Sequence, residues 1–104
     1  MNDKVLSLLG FASKSGNLSF GMDSTKESLK KGKTKLILVA DDISEKSLKE
    51  IRFFADKENV DVISVEYSGD TLASATGRKG GILSVNDQGF ANAIRRGGIA
   101  SGKD

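Results

Sequence analysis

The residues best suited to chemistry in this sequence are basic and lie in two stretches. Residues 26–35 contain one glutamate and five lysines, which are Lys26, Lys30, Lys31, Lys33 and Lys35. Residues 77–81 have the sequence GRKGG, in which Arg78 and Lys79 supply charge and the glycines leave the backbone amides accessible. Basic side chains neutralise phosphates, so both stretches are candidates for contacts with a nucleic-acid backbone, although residues 77–81 fit a flexible turn equally well.

A helix that begins at Gly21 would add backbone donors to this basic surface. The first amides of a helix point outward and carry the positive end of the helix dipole. We therefore predict that Gly21, Met22, Asp23 and Ser24 form a platform for phosphates or base edges. The alternative is that Asp23 or Ser24 only caps the helix by accepting a hydrogen bond from its first amides.

Other chemistries have little support in the sequence. It contains no cysteine and no histidine, which excludes thiol and imidazole catalysis and zinc sites built from those ligands. The triplet GKT at residues 32–34 ends a helix and precedes a strand, the reverse of the order in a nucleotide-binding loop. Asp41 and Asp42 follow a strand and could hold magnesium, but capping of the next helix explains them as well. We therefore predict a non-enzymatic protein with no metal or other cofactor.

The charges are distributed unevenly along the 104 residues, although the net charge is only +2. Residues 1–40 have a net charge of +4, residues 41–70 of −5 and residues 71–104 of +3. Such a chain can fold with one basic face turned toward a polyanion. We expect a single domain at residues 1–98 and a disordered tail at 99–104. Because the sequence shows no cysteine, no membrane span and no signal peptide, we also expect a cytoplasmic protein.

Hydrophobic periodicity predicts helices and strands that alternate along the chain. In the first helix Val5, Leu8, Leu9 and Ala12 share one face, and Asp42 with Glu45 is typical of a capping box for the third helix. The predicted elements are a helix ending at Gly16, a strand at 18–20, the basic helix at 21–31, a strand at 36–40, a helix containing Leu48, Ile51 and Ala55, a strand at 60–65, a short helix at 71–75, a strand at 82–85, and a last helix containing Phe90 and Ile94. This order predicts an α/β layered sandwich around a small mixed four-stranded sheet.

Several segments together resemble one family of RNA-binding proteins. The segments are LSLLGFASKSGNLSFG, the basic helix, KLILVADDIS, VDVISV and LASATGRKGGILSVNDQGFANAI, which cover the chain from about Leu6 to Ile94. In this order they resemble the small ribosomal proteins of the L-seven-Ae and L-thirty-e superfamily, and in particular their bacterial stand-alone YlxQ-like members. The resemblance implies a three-layer α-β-α sandwich that binds structured RNA, often a kink-turn, in or around the ribosome.

The resemblance also implies where RNA is bound, and the sequence departs from the family there. The family reads RNA with a Gly-x-Asn-Glu-x-x-Lys pattern at the start of the second helix and with a loop before the last strand. On residues 21–27 only Gly21 matches the pattern. Asp23 can still accept hydrogen bonds from guanine N–H groups, but Glu27 occupies the place of a phosphate-contacting lysine. Lys26 lies one position earlier and therefore points about 100° away around the helix. The loop is GRKGG, whereas it is mostly small and apolar in the family.

We therefore predict that the protein is a monomer that binds structured RNA, in particular ribosomal RNA, and retains general RNA binding more fully than kink-turn specificity. The predicted RNA-contacting residues are Gly21, Asp23, Ser24, Lys26, Lys30, Lys31, Lys33, Arg78 and Lys79. The alternative is an adaptor for ribosomal or assembly proteins that keeps the fold but has lost specific RNA recognition. The acidic segment from Asp41 to Asp70 and the altered helix pattern motivate that alternative.

Overall fold

A computed structural model describes residues 4–99 of the chain, which form five α-helices, four strands and a final π-helical turn. The elements in order are α1 (Lys4–Lys14), β1 (Leu18–Phe20), α2 (Gly21–Lys30), β2 (Leu36–Val39), α3 (Glu45–Lys57), β3 (Val62–Ser64), α4 (Gly69–Thr76), β4 (Ile82–Val85), α5 (Gln88–Ile94) and the π-helical turn (Arg95–Ile99). The predicted alternation of helices and strands is confirmed. Of the predicted disordered tail, residues 100–104 lie outside the described residues.

The strands form one mixed sheet in the order β1-β4-β2-β3. β2 and β3 are parallel, with Ile37 opposite Val62, while β4 runs antiparallel to both of its neighbours. Ser84 of β4 lies opposite Ser19 on one side and Ile37 on the other. The last strand in the sequence is therefore inserted between the first two.

Helices cover both faces of the sheet, so the predicted three-layer α-β-α arrangement is confirmed. Because successive strand residues point to opposite faces, β4 contributes Leu83 and Val85 to one core and Ile82 to the other. The first core lies under α1, α4 and α5 and includes the fully buried Leu9 and Leu72. The second lies under α2 and α3 and includes Leu29 of α2. It also includes Ile51 and Ala55, which the periodicity predicts to face inward, while the third predicted residue, Leu48, is partly buried against it.

The capping box predicted at Asp42 and Glu45 is wrong. The N-cap of α3 is Ser44, whose hydroxyl accepts a hydrogen bond from the Ser47 amide at 3.1 Å. The Asp42 carboxylate instead accepts a hydrogen bond from the amide of Gly69, the first residue of α4, at 3.0 Å. A tertiary partner therefore replaces the local one, and this carboxylate connects the end of β2 to the start of α4. None of the helices within residues 4–99 is both long and apolar enough to cross a membrane.

Candidate nucleic-acid interface

The start of α2 carries no side-chain cap, so the capping role considered for Asp23 and Ser24 is not observed. The N-cap residue is Phe20, the last residue of β1, in an extended conformation. Asp23 and Ser24 are exposed residues of the first helical turn, and Asp23 is its acidic side chain. The strand thus leads directly into the helix, with the first amides of α2 at this end of the sheet.

The loop at residues 77–81 passes directly against this helix start. Gly80 has a φ of 147°, a conformation that glycine adopts readily and other residues rarely do. A Cβ atom on Gly80 would lie 3.2 Å from the backbone nitrogen of Gly21 and 3.6 Å from the Cβ of Phe20. The two predicted RNA-contacting segments, far apart in the sequence, are therefore in contact in the fold.

Arg78 is the residue of this loop that reaches toward β1. Its guanidinium carbon lies over the Phe20 ring, 4.8 Å from the ring centroid. The preceding residues hold the loop in place: Gly77 ends α4 in a left-handed conformation, and the Thr76 hydroxyl accepts a hydrogen bond from the Arg78 amide at 3.3 Å. Lys79 is exposed beside it. Both basic residues of the loop are thus presented next to the N-terminus of α2.

Two of the predicted lysines line a polar groove beside α2. Lys31 and Lys33 border this groove, which has a volume of about 280 Å³ and also exposes Ser19, Ser24 and Asn86. The Lys31 ammonium lies 3.1 Å from the carboxylate of Glu27, one turn earlier, while Lys33 is exposed. Serine and asparagine side chains next to lysines can donate hydrogen bonds to phosphate and sugar oxygens.

A cluster of hydroxyl groups beneath this groove fixes α2 to the sheet. The Ser28 hydroxyl donates to the amide oxygen of Asn86 at 2.8 Å and accepts from the Thr34 hydroxyl at 2.9 Å. The Ser84 hydroxyl of β4 lies 2.9 Å from that of Thr34, and the amide nitrogen of Asn86 donates to Ser19 of β1 at 3.0 Å. Because these groups are partnered, they can be buried at low cost while they hold the helix in one position.

Lys26 and Lys30 lie on the opposite side of α2, in a groove of about 570 Å³ between α2 and α3. The Lys26 ammonium is 2.6 Å from the Glu50 carboxylate and 4.7 Å from the centroid of the Phe54 ring. Asp23 also borders this groove. The structure therefore divides most of the predicted residues: Gly21, Arg78 and Lys79 meet at the helix start, Ser24 and Lys33 line the polar groove, and Asp23, Lys26 and Lys30 face α3. Lys31 borders both grooves.

Phe20 and Asn86 belong to this surface, but the sequence analysis did not identify them. In the sequence Phe20 only precedes a predicted helix start. Its position beside the loop before β4 becomes visible from the pairing of Phe20 with Leu83. Asn86 follows the alternation of polar and apolar residues in β4, which could have indicated that Ser84 and Asn86 share a face.

Comparison with known proteins agrees with this architecture. Residues 3–94 match the ribosomal protein L7Ae/L30e/S12e/Gadd45 family. The large ribosomal subunit protein eL30 of Yarrowia lipolytica is 30% identical over an alignment of 94 residues, which covers 88% of this chain and 86% of that protein.

Two solved structures share the fold. A protein of unknown function from Bacillus halodurans superimposes with a TM-score of 0.85 at 23% identity, over 91% of this chain and 96% of the other. A Giardia lamblia 15.5kD RNA binding protein gives a TM-score of 0.76 at 14% identity, over 94% and 86%. With the family match over nearly all described residues, the resemblance to the superfamily is confirmed, and the chain belongs to the ribosomal protein L7Ae/L30e/S12e/Gadd45 family.

Proposed function

We propose that this protein binds structured RNA through one continuous surface formed by the start of α2, the loop at 77–81 and the polar groove beside β1. Proteins of its family are ribosomal RNA-binding proteins and not enzymes, which supports a non-enzymatic, ribosome-associated role. The observation that carries the proposal is the contact between Gly80 and the start of α2. A Cβ atom placed on Gly80 would lie 3.2 Å from the Gly21 nitrogen. This contact joins two basic or amide-rich segments into one surface.

The proposed contacts differ in kind along this surface. The amides at Gly21 would bind phosphate or base edges, and Ser24 would donate or accept hydrogen bonds. Asp23 borders the groove toward α3 but lies in the first turn of α2, where it would accept hydrogen bonds from guanine N–H groups. Lys31, Lys33 and Lys79 would contact phosphates, because they are exposed and attached to fixed elements. Lys26 is omitted because its ammonium is partly buried and lies 2.6 Å from Glu50, and Lys30 is assigned to the α3 side. Lys31 is kept because its pair with Glu27, at 3.1 Å, is more exposed, and exposed ion pairs are weak.

The finer assignments are part of the same proposal. The RNA would be ribosomal RNA or a kink-turn, bound in the cytoplasm by a monomer whose RNA-binding domain spans residues 1–98. The likeness to the Bacillus halodurans protein supports a place among the bacterial stand-alone YlxQ-like proteins only through the shared fold.

The experiment that tests the proposal is fluorescence anisotropy with a labelled kink-turn RNA and a plain duplex of the same length, each at low and at near-physiological salt. Tighter binding of the kink-turn at the higher salt supports recognition of base edges by the α2 start. Equal, salt-sensitive binding of both supports a basic surface that contacts only the backbone. Failure to bind either RNA would contradict the proposal.

The adaptor for ribosomal or assembly proteins is the alternative function, and one observation favours it. Phe53 of α3 is 58% exposed and packs edge-on against Phe54, which lines the groove between α2 and α3. Exposed aromatic side chains are frequent at protein interfaces. If neither RNA binds at low salt, the adaptor becomes the better hypothesis, and the F53S variant should then lose partner proteins that survive nuclease treatment of the lysate.

A further inference from the structure

The guanidinium of Arg78 contacts an aromatic ring, while its N–H groups have no hydrogen-bond partner among residues 4–99. It lies 4.8 Å from the centroid of the Phe20 ring, which itself packs against the core of the sheet. Within residues 4–99 the Arg78 side chain makes no ion pair or hydrogen bond, in contrast to Arg95, which lies 3.0 Å from Asp61. Its N–H donors therefore remain available to a ligand at the end of β1.

The backbone around Arg78 restricts where those donors can point. The Arg78 amide donates to the Thr76 hydroxyl at 3.3 Å, and that hydroxyl also lies 2.9 Å from the carbonyl oxygen of Leu72 in α4. Two residues later, Gly80 packs against Gly21. The loop backbone is thus anchored on both sides of Arg78, and the side chain lies over an aromatic ring. Such a side chain loses less conformational entropy when it forms two parallel hydrogen bonds with a ligand.

We propose that Arg78 is a specificity-determining residue that reads the O6 and N7 atoms of an unpaired guanine, with Phe20 as the platform that orients it. The proposal rests on the proposed RNA-binding function. Arginine forms two parallel hydrogen bonds with this edge of guanine, whereas adenine places an amino donor against one of the arginine donors and pyrimidines lack N7. Proteins reach such edges in RNA where bases are unpaired, in bulges and loops.

A lysine at position 78 would not replace Arg78 fully as a reader of guanine. A lysine keeps the charge and the salt dependence of phosphate contacts but has no planar fork. The proposal also distinguishes Arg78 from Asp23, because an acceptor at Asp23 would require the N1–H and amino groups of guanine rather than O6 and N7. Nucleotide analogues can therefore separate the two residues.

The experiment uses the full-length protein and fluorescein-labelled hairpin RNAs that differ only in one bulged nucleotide: guanosine, adenosine, uridine, inosine or 7-deazaguanosine. The unsubstituted protein should bind the guanosine bulge about 5- to 150-fold more tightly than the adenosine bulge, which corresponds to one good bidentate contact. Inosine, which retains O6 and N7, should behave as guanosine does. The 7-deazaguanosine bulge, which lacks N7, should lose most of the preference.

The variant R78K should reduce the preference for guanosine over adenosine, because an ammonium can still donate to O6 or N7 but lacks the planar fork that engages both. The slope of log K against log salt should stay unchanged. The variant F20L keeps every charge and should also reduce the preference, while K79R is the matched control that retains it. A guanosine preference that is undiminished in R78K, or in the 7-deazaguanosine hairpin, would overturn the assignment of Arg78. Equal binding of all five hairpins would overturn it and leave RNA binding standing, whereas no binding of any hairpin would overturn the proposed function as well.

Discussion

The contact between Gly80 and the start of α2 predicts that Gly80→Ala destabilises the protein and disturbs the proposed RNA surface. Alanine at a φ of 147° is strained, and its Cβ would lie 3.2 Å from the Gly21 nitrogen, closer than an ordinary van der Waals contact. That neighbour is backbone, so the loop and not a flexible side chain must move.

The change in the free energy of unfolding combines a conformational cost in the folded state with an entropy effect in the unfolded chain. A non-glycine residue in such a conformation costs about 1–3 kcal/mol. Alanine also reduces the conformational entropy of the unfolded chain, which offsets about 0.4–1 kcal/mol. The difference between these terms is about 0–2.6 kcal/mol, and the close contact with the Gly21 nitrogen adds to the loss. We therefore expect the free energy of unfolding to fall by about 1–2.6 kcal/mol, and the melting temperature of a domain of this size to fall by about 4–21 °C.

Thermal unfolding followed by circular dichroism measures this change, and Gly81→Ala is the matched control. A Cβ on Gly81 would lie 3.7 Å from the Ala40 Cβ, an ordinary contact, and Gly81 has no positive φ. Its free energy of unfolding should stay unchanged or rise by up to about 1 kcal/mol. Kink-turn RNA affinity should fall in G80A alone. Equal stabilities for both variants, or a larger loss in G81A, would refute the idea that Gly80 anchors the loop to α2.

Three further predictions concern other parts of the surface and its support. Replacing both Arg78 and Lys79 by alanine should weaken binding of all RNAs and reduce the log–log salt slope by about one to two units, measured by anisotropy; an unchanged slope would remove the loop from the interface. The variant K33A should weaken RNA binding, whereas K26A should not, because the Lys26 ammonium already pairs with Glu50 at 2.6 Å; equal losses would contradict this division. Thr25 is buried and its hydroxyl has no hydrogen-bond partner among the described residues, so T25V should leave the free energy of unfolding unchanged or raise it. The variant S84A removes a buried hydroxyl that has a partner, and should lower the free energy of unfolding by about 1–3 kcal/mol. Urea titrations measure both changes.

The sequence was sufficient to predict the elements of the fold because their signals are local. The uninterrupted apolar run at residues 36–40 appears as the fully buried strand Leu36–Val39, and the spacing of Val5, Leu9 and Ala12 appears as the buried face of α1. The sequence did not predict the role of Asp42, because its partner Gly69 lies in another element. A local capping pattern cannot compete with a tertiary contact that the sequence does not display.

The candidate site was predictable only as separate segments. Both segments could be identified from their lysines, arginine and glycines, and the family resemblance implied that both bind RNA. Their contact depends on the pairing of β1 with β4, in which Leu18 lies opposite Val85, and such long-range pairing has no local signal. The separation of Lys26 from Lys33 depends on the position of α3, which helix periodicity alone does not give.

The position of β4 in the sheet has a consequence for how the protein is made. Among the strands of residues 4–99, β1 pairs with β4 alone, so during synthesis it lacks this partner until residues 82–85 have left the ribosome. The same event places the loop at 77–81 against α2. The sheet therefore closes late, through contacts of high sequence separation, which are slow to form. A nascent chain that ends before Ile82 lacks the assembled surface, so the proposed RNA-binding surface forms only after residues 82–85 have been synthesised.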